Sequence, residues 1–504
     1  MIIGRCIGET SPSEVSFISD EMPQVGEFVC LDYDNKKVLG MIETMVRGNV
    51  SLNEDIYSFE TADMIATMEG NEYYIKGKIR ILGDINENLK LPRIPAPPGT
   101  PVVLADENIL KEVFKVKNPL KLGSLINQSN VDVEVNANSI LTRHLAILAM
   151  TGAGKSNTVA VLIDGLLSYN MPIFVFDMHG EYKGAEFKNG KVNVIQPSIN
   201  PKYMSFNEIK KLANIPNNAF KQERHFRKAF KKANKLVEEC AVSTNNFLHI
   251  IKDVLTVMSN DEDKYSKGDL GDIVAVINKV DDLIEKYENL FDTNRGNIIG
   301  NIQIGKVNVL DLSQTDEYAA EVLVSHILRN SLQRRKNWFN KSSNHVLEFP
   351  VFFILEEAHI LAPKRRESDS KFWIQRVARE GRKFGLGLCL VSQSPKTVDQ
   401  DALSQMNNMI ILRLVEPDDQ RHVQSASESL SEDLIKQLPA LNVGEAILLG
   451  LMTKVPTLVK IDEFKGRTYG GDIDVISEIA NFKKNNEDEI KQQEDDSYNL
   501  GYDY

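Results

Sequence analysis

From residue 145 onward the chain alternates short, continuous apolar runs with stretches whose apolar positions recur every three or four residues. The runs at 145–149, 173–177, 192–195, 307–312, 351–355, 386–392 and 409–414 read as buried strands. Helices are predicted at 156–168, around 318–335 and around 370–383. Continuous strands between amphipathic helices imply a mostly parallel sheet covered on both faces. A hairpin-like pair at 446–449 and 457–461 closes the unit. Between about 205 and 295 the strand signal vanishes. There Phe247, Ile250, Ile251, Val254, Leu255 and Met258 fall at helical spacing, so a helical insertion within the sheet domain is expected.

The first hundred residues have a different rhythm. Short apolar runs at 1–3, 25–31, 38–46 and 73–82 are separated by turn formers such as Asp34-Asn35 and Gly48-Asn49. Strands at this spacing suggest a small barrel. The stretch from Leu91 to Pro101 holds five prolines and reads as a stiff linker, which places a domain boundary there. The expected layout is a barrel over 1–100, a linker and lead-in over 101–140, an α/β domain over 141–470 and an acidic arm over 471–504. At its end, from 483 to 504, seven acids oppose three lysines, which predicts disorder or a loosely attached helix.

Composition narrows the function. The chain has 504 residues, 42% hydrophobic and 26% charged, as in a folded globular protein of roughly three domains. A net charge of -12 excludes a general basic coat for nucleic acid, so any such site must be a local patch. Cys6, Cys30, Cys240 and Cys389 lie far apart, which argues against a zinc ribbon or a disulfide scaffold. The apolar runs are too short to span a membrane, and the N-terminus lacks the layout of a signal peptide. A soluble, cytoplasmic protein is expected.

The strongest chemical signal is Ala149-Met150-Thr151-Gly152-Ala153-Gly154-Lys155-Ser156, set between a predicted strand and a predicted helix. Gly152 and Gly154 let backbone N–H groups cradle phosphate, and the helix start aims its positive end at the same place. Lys155 would reach the β- and γ-phosphates, and the Ser156 hydroxyl would ligate Mg²⁺. Thr151, Ala153 and Asn157 complete the expected nucleotide contacts. Ala149 departs from the motif, which asks for glycine there and so leaves the loop's entry geometry open.

The second signal is the run at 351–355 ending in Glu356-Glu357, at a strand's C-terminal edge where ligands bind in open α/β sheets. Glu356 would hold Mg²⁺ through its water shell, and Glu357 would orient or deprotonate the attacking water. Gln393, ending the next predicted strand, could contact the γ-phosphate or that water. Arg379-Glu380-Gly381-Arg382-Lys383 ends a helix, where cations are favourable on dipole grounds alone. The functional reading makes one of them an arginine finger for a neighbouring subunit's nucleotide. Arg143 and Lys364 are further candidates. Asp177 and Glu181 could support the metal or water, or simply form a polar turn.

These segments occur in a telling order: a small β domain, Gly154 to Thr158, Asp177-Met178-His179-Gly180-Glu181-Tyr182, Glu356-Glu357-Ala358-His359, and Arg379 to Gly385. Together they resemble archaeal HerA, a hexameric DNA translocase of the FtsK–HerA superfamily, over nearly the whole chain. The resemblance implies a RecA-like P-loop ATPase core with an N-terminal barrel, using ATP and Mg²⁺. It implies movement along double-stranded DNA threaded through a homo-oligomeric, hexameric ring and partnership with a NurA-type nuclease in resecting DNA ends. It also implies that Arg382, with Arg143 and Lys364, acts on nucleotide at the subunit boundary.

The candidate DNA patch is Lys221, Arg224, Arg227, Lys228, Lys231, Lys232 and Lys235, opposed by Glu223. Its contacts with phosphate would be sequence-independent and salt-sensitive; a solvated helix face is the other reading. Competing functions are an export or conjugation ATPase of the same superfamily, a nucleotide-binding scaffold that does not hydrolyse, and a dimeric metabolic kinase. Glu357 argues against the scaffold, and no second substrate site supports the kinase.

Overall fold

The structure, a computed structural model, describes residues 2–70, 72–239, 247–293, 296–341, 345–427, 429–469, 475–479 and 482. Most of the expected acidic arm, and Cys240, lie outside them.

The N-terminal strands are β1 (Ile2–Ile7), β2 (Glu14–Ser19), β3 (Phe28–Tyr33), β4 (Lys36–Gly48), β5 (Tyr74–Asp84) and β6 (Pro101–Leu104), with α1 (Phe59–Glu69) between β4 and β5. They close into a barrel in the order β1-β2-β5-β4-β3-β6. Alternate residues such as Val15, Phe17, Ile79 and Ile81 fill its interior. The expected boundary is corrected here. The proline run does not end the barrel but carries the chain back across it, and β6 pairs with both β1 and β3. Pro101 can open β6 because a strand's first residue needs no ladder donor.

The segment 101–140 is likewise not a linker. After β6 come α2 (Glu107–Phe114), β7 (Pro119–Leu125), β8 (Asp132–Asn136) and α3 (Ala137–Arg143). Phe114 meets Phe28 edge-on, with ring centroids 5.7 Å apart, so α2 fastens the barrel to the rest of the chain.

The second domain continues with β9 (Leu145–Leu148), α4 (Lys155–Leu167), β10 (Ile173–Asp177) and β11 (Lys191–Ile195). The insertion follows as α5 (Phe206–Leu212), α6 (Phe220–Glu238), α7 (Phe247–Ser259) and α8 (Lys267–Lys286). Then come β12 (Lys306–Asp311), α9 (Glu317–Phe339), β13 (Val351–Leu355), α10 (Ala358–Leu361), α11 (Asp369–Glu380), β14 (Leu386–Ser392), α12 (Gln400–Ser404), β15 (Asn408–Leu412), α13 (Pro417–Ala426), α14 (Glu432–Gln437), β16 (Glu445–Gly450) and β17 (Thr457–Ile461).

These strands form one sheet in the order β11-β12-β10-β13-β14-β9-β15-β16-β17-β7-β8. From β11 to β15 every pairing is parallel, and from β15 to β8 every pairing is antiparallel. The parallel strands are buried throughout their centre; every residue of β9, β10, β13 and β14 is buried. This is why they read as unbroken apolar runs rather than alternating ones. In the insertion, α6, α7 and α8 pack on one another, and Phe206, Phe226, Phe230 and Phe247 stack between them. Glu208 of α5, buried, receives two hydrogen bonds from Arg329 of α9 at 3.1 Å, which ties the insertion to the sheet domain.

Cys6, Cys30 and Cys389 are free and buried, and burial pushes the first two thiols up to about 11. They behave as small apolar residues. Among the described residues no helix is long and apolar enough to cross a membrane.

Candidate active site

Strand order builds the site. The strand that feeds the glycine loop, β9, lies beside β14, and β14 lies beside β13. Three C-terminal ends therefore point the same way: the loop after Leu148, Gln393 after Ser392, and Glu356-Glu357 after Leu355. The glycine loop and the paired carboxylates, 201 residues apart in sequence, converge.

Gly152 and Gly154 have φ of 76° and 100°, where side chains are strained. A Cβ on Gly154 would also press on the backbone of Gly444 at 3.1 Å. Ala149 is absent from the positive-φ residues, so this loop does not need the glycine that the motif asks for there. Its N–H donates to Ser392 O at 3.2 Å.

Lys155 opens α4 and is buried. Its ammonium donates to Glu356 Oε2 at 3.2 Å and to Glu357 Oε1 at 3.1 Å. Burial lowers its pKa, but the two carboxylates outweigh that and hold it above the ordinary value. Both carboxylates are buried, and burial raises the Glu356 carboxyl despite Lys155. Glu357 goes the other way. Burial would raise it, but His359 and Lys155 bring it down to about 2. His359 Nδ1 lies 3.1 Å from Glu357 Oε2, too poorly aligned for a hydrogen bond, and both buried atoms lack one. Glu357 itself sits at φ 47°, ψ 51°, a left-handed conformation uncommon outside glycine. That turn lifts its carboxylate off the strand axis and into the site.

Gln393 bridges the two halves. Its amide N–H donates to Glu357 Oε1 at 3.1 Å, and its carbonyl accepts the Thr151 hydroxyl at 2.7 Å. The Ser156 hydroxyl, half-buried, makes no hydrogen bond among the described residues. A free hydroxyl beside the loop and an unpaired buried carboxylate oxygen on Glu357 suit a nucleotide-bound cation.

Three of the expected groups can be placed, and the first departs from expectation. Asn157 does not face the loop's mouth: its amide donates to Asp462 O at 2.9 Å and accepts from Phe464 N–H at 2.8 Å, so it anchors the chain after β17. Asp177 is a turn former. Its carboxylate takes the backbone N–H groups of His179, Gly180 and Glu181 on Oδ1 and of Tyr182 on Oδ2, as the polar-turn reading expects. Lys364 and the two arginines do not form one group. Lys364 N donates to Thr397 O, just past β14, so Lys364 lies on the same edge as the glycine loop. Arg143 and Arg382 precede β9 and β14 and lie on the opposite edge. The seven residues of β14, about 20 Å of strand, separate Arg382 from Gln393.

Sequence reasoning missed Tyr182. It is fully enclosed, and its hydroxyl donates to Glu356 Oε1 at 2.8 Å. The turn that Asp177 organises exists to deliver this ring. His359 was also missed as a partner of Glu357.

The basic face of α6 is less free than its charges suggest. Arg224 faces Asp269, Arg227 pairs with Glu223 and lies over the Phe206 ring, and Lys235 pairs with Glu239. Lys228 sits over the Tyr265 ring. Lys221, Lys231 and Lys232 are exposed and make no ion pair among the described residues.

Comparison with known proteins agrees with this architecture. Residues 3–87 match the HAS barrel domain, 120–331 the central domain of helicase HerA, and 347–497 the helicase HerA-like C-terminal domain. A probable helicase of Methanocaldococcus jannaschii is 43% identical over 484 residues, covering 94% of this chain and 93% of its own length. The DNA double-strand break repair helicase HerA of Saccharolobus solfataricus is 40% identical over 487 residues, covering 95% of each chain. Among solved structures, VirB4 of Thermoanaerobacter pseudethanolicus has a TM-score of 0.50 at 13% identity, covering 69% of this chain and 97% of its own. The conjugative coupling protein TrwB has a TM-score of 0.50 at 12% identity, covering 71% and 93%. These two share the fold of the ATPase domain. With a barrel, a central domain and a C-terminal domain all matched in order, and relatives aligned from end to end, this chain belongs to the HerA helicase family.

Proposed function

We propose that this chain is an ATP-driven helicase and translocase on double-stranded DNA that serves double-strand break repair. In this reading it works as a homo-oligomeric ring of six and feeds resected ends to a NurA-type nuclease. The observation that carries the reading is the Lys155 ammonium held between Glu356 and Glu357 at the mouth of the glycine loop, with Gln393 bridging loop and carboxylate.

The chemistry follows from these contacts. An entering triphosphate draws Lys155 away from the carboxylates, because its phosphates carry more negative charge than the two side chains and are bridged by the same loop. Glu357 then loses the ammonium that helps hold its carboxyl near 2, and its pKa rises. It remains ionised at neutral pH but becomes a better acceptor for the attacking water's proton. Gln393 and Thr151 transmit the change to the loop. Mg²⁺ held by Ser156 and, through water, by Glu356 would neutralise charge on the phosphates. Arg382 and Arg143, remote from their own loop, are placed to complete a neighbour's site, while Lys364 flanks the home site.

The test is ATP turnover with and without duplex DNA, on wild type, Arg382→Ala, Lys155→Ala and a mixture of the two variants. Stimulation by DNA and recovery of turnover in the mixture are expected. Turnover without DNA stimulation would point instead to an export-type ATPase, and two silent variants that stay silent when mixed would remove the shared site.

A further inference from the structure

The two arginines on the far edge are joined by a residue that the nucleotide site does not use. His144 follows Arg143 and is buried, 2% exposed. Its backbone lies at φ 63°, ψ 164°, a region that glycine alone enters with ease. A buried, strained non-glycine residue persists where its side chain does something that a hydrogen atom could not.

The imidazole makes two hydrogen bonds to separate pieces of chain. The Leu388 N–H donates to Nδ1 at 3.1 Å, so Nδ1 carries no proton. The proton is therefore on Nε2, which donates to Ala378 O at 2.8 Å. Burial pulls the ring's pKa down to about 4, so it keeps this neutral tautomer at working pH. The backbone is fixed as well, since the Asn408 amide donates to His144 O at 2.7 Å.

Ala378 starts the last turn of α11, which runs directly into the Gly381–Phe384 turn that bears Arg382. That turn packs against α3, the helix ending in Arg143. It is held from its other side by Arg335, whose Nε donates to Phe384 O at 2.6 Å. Gly381 leaves no room for a side chain, because a Cβ would lie 2.7 Å from Leu386 O. Arg143 and Arg382 make no ion pair among the described residues, so their charges remain available. The mount is rigid and the tips are free.

We propose that His144 is a positioning residue that clamps Arg143 and Arg382 side by side, so that the pair meets the triphosphate of the adjoining subunit. The inference rests on the reading that these cations complete a neighbour's site.

His144→Gly in the full-length protein tests it, since glycine suits the backbone and removes the clamp. Displacing a catalytic group by about 1 Å lowers rate about 10²-fold, and a drop of that order in DNA-stimulated ATP turnover is expected. Affinity for ATP measured by equilibrium binding should fall far less than turnover, because the home loop is intact. Mixed with Lys155→Ala, the variant should regain turnover as Arg382→Ala does. A purely structural histidine would not be complemented in this way. In a background lacking both arginines, Arg143→Ala with Arg382→Ala, the His144→Gly substitution should add less than twofold. If the glycine variant does not fold, His144→Ala carries the same comparisons, as it removes both ring nitrogens and asks no more of the backbone than histidine does. A folded variant with wild-type turnover, failure of complementation, or full multiplication with the double arginine variant would overturn the clamp. Wild-type turnover in Arg382→Ala alone would instead overturn the shared site.

Discussion

The Tyr182 hydroxyl donates to Glu356 Oε1 across 174 residues of sequence, and both groups are buried. A carboxylate enclosed this deeply stays ionised only with donors on it. Tyr182 and Lys155 are those donors, and burial still raises its pKa.

Tyr182→Phe therefore removes a stabiliser of the ionised form. The Glu356 pKa should rise further, moving the acidic limb of the pH–turnover profile to higher pH. Loss of the hydrogen bond should cost about 1–3 kcal/mol of stability at neutral pH. A profile that does not move, recorded alongside the melting temperature, would count against this role.

Lys155→Ala leaves two adjacent buried carboxylates without their cation. Glu357 has a depressed pKa in the folded protein, so its stabilising contribution is present above the unfolded value of 4.5 and is lost as pH falls toward 2. Without Lys155 that contribution shrinks. The deficit of Lys155→Ala against wild type should be largest at neutral pH, about 3 kcal/mol, and should narrow as pH falls below 4.5. Denaturant titrations at pH 7 and pH 4 check it.

Glu321 of α9 is fully buried and is shared by Lys211 of α5 and Arg366, nine residues beyond Glu357. It joins the insertion to the segment after the catalytic carboxylates. Glu321→Gln should lower stability by about 1–3 kcal/mol. Arg366→Ala should cost less, because that side chain is 44% exposed and its loss leaves Lys211 on the carboxylate. Thermal melts of both variants give the ranking.

On α6, Lys221, Lys231 and Lys232 are the cations free to meet phosphate. Replacing all three with alanine should weaken duplex binding equally across sequences. Its salt dependence should become shallower, by about 0.9 in log–log slope for each phosphate no longer neutralised. Arg227→Ala should instead show up in stability, through Glu223 and the Phe206 ring. Fluorescence anisotropy over a salt series separates the two.

The glycine loop and the carboxylate pair were legible because each is a local pattern at the end of an apolar run. The parallel strands were legible for the same reason. What local pattern could not reveal was how neutralising partners arrive from a distance. Tyr182 looks like any buried ring until Glu356 is placed above it. Asp177 reads equally as a support for the metal or as a turn former until its four backbone N–H partners are placed. Asn157 follows the motif in sequence but faces the other way. The sixth barrel strand escaped notice because the proline run before it reads as an ending, and Arg143 and Lys364 could not be assigned to edges without strand order.

The pairing of β17 with β7 has a consequence for how this molecule is made. Val459 to Ile461 are hydrogen-bonded to Gly123 to Leu125, so one end of the large sheet joins stretches separated by most of the chain's length. As the polypeptide leaves the ribosome, the β7–β8 hairpin must wait with one flank bare until nearly everything else has been synthesised. Closure of so large a loop is slow, and a bare strand flank recruits strangers. Until β17, the last strand among the described residues, is made, the β7 flank has no partner, and that interval favours aggregation.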